Sequence, residues 1–299
     1  MDSISYIHDV DLAQFATLVA IVEEGTLSAA ARRRHLTQPA VSLQLKALET
    51  ELGARLLHRD GKRATLTRAG EAVVRQARAA LAAARAARAE VEEIRGLVRG
   101  SLLLGVTDAA ATEILPAAFV AFHRIYPGIE VAVEVHGTGP LLERLRDGRV
   151  DLALGTLPVE DPDVTATPLL TERLGIVAPA AARGTAARKL LEREPFIAYP
   201  RRSVTRSLVD AALAKVGLSV RPVMEIGQPA VSVRLVEAGL GVSVLPEAVF
   251  RSALDRGTVV RVAPARFRVV RRLGMLRSNR REPEPAARAL AKVLLPGGT

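Results

Sequence analysis

The sequence predicts a multidomain α+β chain: an all-α head with a small hairpin, one long helix, and a two-lobed α/β body. Three observations lead there. The first 67 residues hold three short helical runs with a sharp break before the third. Residues 68–98 contain no proline and are rich in alanine and arginine, both strong helix formers. From Ser101 onward, short β-branched runs alternate with helical ones, the pattern of a sheet covered by helices.

Composition agrees. A chain of 299 residues, 49% hydrophobic and 25% charged, is long enough for two or three units with separate cores. There is no cysteine, which excludes disulfides, thiol redox sensing and thiolate metal sites. Residues 1–11 lack the basic flank and apolar block of an export signal. Charged residues interrupt every apolar stretch well before about 20 residues, so a cytoplasmic protein without a membrane partner is expected. The net charge of +10 fits a polyanionic partner, although an arginine-rich, alanine-rich sequence is basic by composition alone. Where the charge lies decides between the two.

In the head, Leu12, Phe15, Leu18, Val19 and Val22 share one helical face that stops near Gly25. Residues 28–34 form a second helix, and His35-Leu36-Thr37 breaks it before Gln38-Pro39 opens a third. Val41, Leu45 and Leu48 make the packed side of that third helix, which Gly53 stops. Three short helices with a tight turn before the last form a helix-turn-helix candidate. Leu56-Leu57 and Thr65-Leu66-Thr67 fold back around Asp60-Gly61, with Lys62-Arg63 beside the turn, as a small wing.

The long helix carries a heptad, Ala77, Ala84, Val91 and Val98 with Val73, Ala80, Ala87 and Ile94. A helix of this length without a core beside it needs a partner chain. The alternative is an ordinary alanine-rich surface helix.

In the body, strands are expected over 102–106, 129–135 and 150–154, with helices around 114–126 and 141–147, and parallel pairing. A second set begins with 164–178, with helices around 207–216 and 231–238 and strands near 220–226, 241–245 and 259–262. A last strand over 272–276 and a helix over 285–295 lack sequential neighbours and are free to return to the first lobe.

The chain resembles the LysR-type transcriptional regulator family from about Leu12 to Leu295. The head carries the pattern as Leu12-x-x-Phe15, Ala29-Ala30-Ala31, Gln38-Pro39-Ala40-Val41-Ser42, Leu48-Glu49, Leu52-Gly53, Leu56-Leu57, Arg59 and Leu66-Thr67-x-Ala69-Gly70. The body carries Gly105-Val106-Thr107, Leu115-Pro116, Tyr126-Pro127, Leu145-x-x-Gly148-x-x-Asp151-Leu152-Ala153 and Glu237-Ala238-Gly239-Leu240-Gly241-x-x-x-Leu245-Pro246. The resemblance implies a winged helix-turn-helix over 1–67 and a linker and dimerisation helix over 68–98. It further implies a two-lobed, periplasmic-binding-protein-like effector domain over 99–299. Lobe I would be 99–160 with 268–299, and lobe II 161–267. The partners implied are double-stranded DNA, a small and anionic effector, and further copies of the chain as homodimer or homotetramer.

The residues of the head suit DNA. Gln38, Ser42 and Gln44 both donate and accept hydrogen bonds, and the start of the third helix offers free amides to phosphate. Residues 32–67 hold eight Lys and Arg against three acids, whereas residues 1–31 hold five acids and no Lys or Arg. With the family positions, the candidate DNA contacts are Arg32, Arg34, Thr37, Gln38, Pro39, Ser42, Gln44, Lys46, Arg59 and Arg63. Leu43 departs from relatives that carry a polar or basic residue there, so one polar contact is expected to be missing.

In the body, the family's ligand contacts map to Thr107, Asp108, Gly137, Thr138, Thr156 and Ser203-x-Thr205-Arg206, with Arg202 and Gln228 completing the candidate set. Thr138 and Ser203 precede helices whose amides can hold an anion, and Arg202 or Arg206 would neutralise it. The alternatives are helix capping for Thr138 and Ser203 and a lobe-closing ion pair for Arg206. Ala109-Ala110-Ala111 replaces polar residues common in that loop, which argues for a ligand with a partly apolar body.

Neither Gly137-Thr138-Gly139-Pro140 nor Gly239-Leu240-Gly241 completes a phosphate-binding motif, and both read as structural. His8, His35, His58, His123 and His136 show no paired metal spacing, and there is no nucleophile turn. No catalytic residue, metal or cofactor is expected. A solute-binding protein is a competing reading of the body alone, and an enzyme fused to a DNA-binding module is another.

Overall fold

The computed structural model describes residues 10–58, 64–94, 100–262, 264 and 266–295. The chain divides into two compact units, residues 1–100 with 147–149, and residues 101–146 with 150–299.

In the first unit, α1 (Leu12–Glu24) starts with a reciprocal cap: Asp11 accepts from the Ala13 amide at 3.0 Å, and its own amide donates to Gln14 at 3.3 Å. It ends at Gly25, whose φ of 73° closes the helix in the left-handed region. Thr26 caps α2 (Leu27–Arg33), and Thr37 caps α3 (Gln38–Glu51), with Pro39 in the first turn. The turn between them is made by His35 at φ 53°, while the Leu36 amide donates back to the Ala31 carbonyl at 2.9 Å. Leu18, Ile21, Ala30, Val41, Leu48 and Leu56 are fully buried together. Each large member contributes about 1.5–3 kcal/mol by leaving water.

The wing strands β1 (Leu57–His58) and β2 (Thr65–Leu66) pair antiparallel, Leu57 opposite Leu66. The expected turn at Asp60-Gly61, with Lys62, lies outside the described residues. Glu49 ties the wing to α3 by accepting from the Leu56 amide at 2.8 Å. Thr67 accepts from the Gly70 amide at 3.0 Å, and its hydroxyl donates to the Arg55 carbonyl at 2.7 Å. Gly70 lies in the first turn of α4 (Arg68–Ile94), where an added Cβ would lie 2.0 Å from the Leu56 carbonyl oxygen. Only glycine fits there.

At 27 residues α4 is about 40 Å long. Its first turns have a core beside them, contrary to expectation. Val74 belongs to the head core, Val73 packs against it, and Ala77 is fully buried, so the seam positions Val73 and Ala77 lie in the part of α4 that packs within its own chain. Further along, Ala87 is exposed and Val91 is 49% exposed. Val98 lies outside the described residues.

The second unit is one continuous sheet. Its elements are β3 (Gly100–Val106), α5 (Asp108–Glu113), α6 (Leu115–Ile125), β4 (Ile129–Val135), α7 (Thr138–Arg146), β5 (Leu152–Leu157) and β6 (Val164–Pro179). There follow α8 (Ala187–Arg193), β7 (Phe196–Ala198), α9 (Val204–Lys215), β8 (Pro222–Glu225), α10 (Pro229–Glu237) and β9 (Val242–Pro246). The last are α11 (Glu247–Asp255), β10 (Val259–Val262), β11 (Val269–Ser278) and α12 (Pro285–Leu294). The strand order is β4-β3-β5-β11-β6-β9-β7-β8, with β10 on β6.

Pairing is parallel for β3 with β5 and for β7 with both β8 and β9, but the middle of the sheet is antiparallel. The crossings expected over 156–168 and 266–271 run into two long paired strands, β6 and β11, paired from Leu174 opposite Val269 to Val164 opposite Ser278 with a register shift between Leu273 and Gly274. On either side sit separate cores, one with Leu104, Phe122, Met275 and Leu290, the other with Ile176, Phe196, Val244 and Phe250. Helix α12 packs into the first, so the end of the chain returns there. Helices α5, α8 and α11 and strand β7 were not foreseen. Helices α5 and α8 span six and seven residues and β7 three, too few for a period to stand out, whereas α11, at nine, is as long as the expected α7 and α10.

Candidate functional site

The two faces of α3 differ. Val41 and Leu48 are fully buried in the head, and Leu45 packs against the same core. On the opposite side Pro39, Ser42, Leu43 and Lys46 are all exposed, and their three-and-four spacing makes them neighbours on one surface. Gln38 is also exposed, and its side-chain oxygen accepts from Ser28 at 3.4 Å. Arg32 is exposed at the end of α2.

Other candidates are placed differently. Gln44 lies on the packed side, where its oxygen accepts the hydroxyl proton of fully buried Thr17 at 2.5 Å, bracing α3 on α1. Arg34 is half-buried and reaches the Ala13 carbonyl at 3.5 Å. Thr37 is occupied as the cap of α3, its hydroxyl accepting from Ala40 at 3.4 Å. Arg59 and Arg63 lie outside the described residues.

In the body, three buried threonines gather at the carboxyl ends of β3 and β5. The Thr107 amide donates to the Leu154 carbonyl at 2.9 Å, and its hydroxyl caps α5. The His136 amide donates to the Val106 carbonyl at 2.9 Å, which brings the Gly137-Thr138 loop to the same edge. Thr138 opens α7 and lies against Gly155, next to Thr156. Gly137 contributes its carbonyl to the Leu141 amide at 3.1 Å. Ala109 and Ala110 point into the core, 9% and 0% exposed, so they carry no information about the body of a ligand.

The candidates of the other half act on their own helices. Ser203 caps α9 by accepting from the Arg206 amide at 3.0 Å. The Arg206 Nε meets both oxygens of Asp210 at 2.9 and 2.7 Å, and its Nη1 donates to the Tyr199 carbonyl at 3.1 Å. Arg202 is exposed, and Gln228 stands at the start of α10.

Among the described residues the most deeply buried cation is Arg271, only 2% exposed. It stands on β11 directly opposite Glu172 on β6. Its Nε and Nη2 both meet Oε1 of Glu172, at 2.8 and 2.7 Å, and Nη1 donates to the Thr205 hydroxyl at 3.3 Å. Oε2 of Glu172 and the hydroxyl of Tyr199, both buried, have no hydrogen-bond partner of good geometry. Burial pushes the Glu172 carboxyl above the usual carboxylate range, against the pull of the Arg271 guanidinium, with the Glu113 charge pushing the same way as burial. Burial also raises Asp108, which Arg271 again opposes. The Tyr199 phenol is raised by burial and lowered in part by nearby Arg271. Charged and polar groups from α5, β6, α9 and β11, with Tyr199 after β7, thus meet around one guanidinium.

Sequence reasoning missed Arg271, Glu172 and Tyr199. The signal was strand phase: Val269, Arg271 and Leu273 alternate inward, so a charge stands where an apolar residue belongs. Among the described residues no cluster of His, Asp or Glu is placed to hold a metal ion, and no helix is long and apolar enough to cross a membrane.

Comparison with known proteins agrees along the chain. Residues 12–71 match the bacterial regulatory helix-turn-helix protein family of the lysR type, and residues 95–298 match the LysR substrate binding domain. A probable RuBisCO transcriptional regulator of Porphyra purpurea is 30% identical over 258 residues, covering 83% of this chain and 81% of that protein. One from Cyanophora paradoxa is 29% identical over 294 residues, covering 95% and 91%. Among solved structures, a cysteine-to-aspartate variant of full-length OxyR from Pseudomonas aeruginosa superposes with a TM-score of 0.73 at 25% identity, covering 96% of this chain and 95% of that one.

Proposed function

Since the chain belongs to the LysR-type family of transcription regulators, we propose that it reads a specific operator with the outer face of α3 and answers to a small anionic effector held between two lobes of its body. It is a DNA-binding regulator with an effector-binding domain, not an enzyme. The observation that carries the finer reading is the division of α3. One side is locked by Val41, Leu48 and Gln44, so Gln38, Pro39, Ser42 and Lys46 are presented on a rigid surface. Arg32, Arg34, Thr37, Arg59 and Arg63 are assigned to phosphates, which set affinity and its salt dependence. The protein works where its operator is, in the cytoplasm.

The lobes are taken as 99–160 with 268–299, and 161–267, meeting at β6 and β11. Thr107, Asp108, Gly137, Thr138 and Thr156 supply one wall of the effector site. Arg202, Ser203 and Gln228 supply the other. The anionic charge is assigned to Arg271 together with Arg206: each faces one carboxylate, Glu172 and Asp210, and Oε2 of Glu172 has no hydrogen-bond partner of good geometry. The linker, taken as 68–98, joins two chains through the later seam of α4, with tetramers forming through the bodies. A thermal-shift screen of organic acids on the full chain tests the cleft. Any acid that stabilises the wild type should lose its effect in Thr107→Val and Arg271→Met, and an unchanged response in both places the effector elsewhere.

A further inference from the structure

Leu43 is 69% exposed, well above the other large apolar side chains of the described head. It lies at the middle of the outer face of α3, next to Ser42, four residues after Pro39 and three before Lys46, all exposed. Nothing in the described head covers it, since the core side of the helix is the side of Val41, Leu45 and Leu48. An isopropyl group offered to water gains nothing for the fold. Set among hydrogen-bonding and cationic neighbours on a helix that enters the major groove, it has one apolar feature to meet, the C5-methyl of thymine.

We propose that Leu43 is a specificity-determining residue that selects a thymine in each half-site by packing on its C5-methyl group. This rests on the reading of α3 as the operator-reading helix and adds to it a base identity. The polar contact expected to be missing at this position is then replaced by an apolar one, which discriminates differently. A hydrogen-bonding side chain reads donors and acceptors, whereas Leu43 is blind to them and favours thymine over uracil, which differ only in the methyl. Ser42 and Lys46 on the same surface position the helix and read neighbouring groups.

The test uses the full-length protein. Bound duplexes are selected from a random library, and each thymine of the preferred site is then replaced by deoxyuridine. The wild type should lose about fourfold in affinity at one thymine per half-site, the worth of one buried methyl group. Leu43→Ala should bind the thymine and uracil duplexes equally, with an unchanged thermal unfolding midpoint showing that the head is intact. A wild type indifferent to every methyl overturns the proposal, and so does a penalty of the same size in Leu43→Ala. Failure to enrich any sequence is a different result, which removes the operator-reading assignment and the proposal with it.

Discussion

Arg271 and Glu172 face each other across the two long strands at the centre of the body, with two guanidinium nitrogens sharing a single carboxylate oxygen at 2.8 and 2.7 Å. The pair is buried and only partly satisfied, which makes its two members unequal. Glu172 can take up a proton, while Arg271 stays charged at any pH the fold tolerates.

Stability should reveal that inequality. Arg271→Met removes the charge that pulls Glu172 down, so its folded pKa rises further above the unfolded value. A carboxyl raised in this way supports the fold while protonated, and that support is lost as pH rises through the folded pKa. The deficit of Arg271→Met in thermal unfolding should therefore grow as the pH rises above the ordinary carboxylate range. Glu172→Ala leaves an unpaired guanidinium and should cost about 3–5 kcal/mol across the same range. A deficit of Arg271→Met that does not change with pH would show that Glu172 finds another partner.

Gln44→Ala should damage the head and not its specificity. The change leaves the buried Thr17 hydroxyl without its acceptor, a loss of about 1–3 kcal/mol in denaturant unfolding. Binding to selected and random DNA should fall by the same factor. A selective loss at the operator would return Gln44 to the reading face.

Gly70→Ala and Gly139→Ala separate two kinds of glycine. At Gly70 the new Cβ meets the Leu56 carbonyl oxygen at 2.0 Å, so the backbone must shift, at about 1–3 kcal/mol or more. At Gly139, in the first turn of α7, nothing lies within 4 Å, so alanine should be neutral or slightly stabilising. Calorimetry on both variants checks the contrast, and a costly Gly139→Ala would reopen a ligand role for its loop.

Ala87→Glu and Val91→Glu place charges on the exposed later seam of α4. In sedimentation of the full chain these variants should dissociate where the wild type does not, with head stability unchanged. Intact oligomers in both would move the interface off this helix.

Much of the fold was legible because its signals are local. The face of α1, its stop at Gly25 and the strands β4 and β10 follow from periodicity and from residues that end a helix. The candidate sites were legible in part. Gln44 was read by its chemistry, although it sits three residues after Val41 and four before Leu48, the spacing of the packed side. Arg206 was read, from its place beside a helix start, as an anion ligand or a lobe-closing ion pair; its pairing with Asp210, one turn along its own helix, depends on rotamers that the sequence does not carry. The Arg271 cluster joins residues about 100 apart in sequence, and only the register of β6 on β11 brings them together.

The central claim is that the outer face of α3 reads bases. It is tested most directly by measuring, at one fixed salt concentration, the affinities of wild type, Gln38→Ala and Ser42→Ala for the selected operator and for random DNA of equal length. Each variant should lose about 1–3 kcal/mol at the operator and change little on random DNA. Equal losses on both DNAs would contradict it, because these side chains would then only anchor the protein to the backbone.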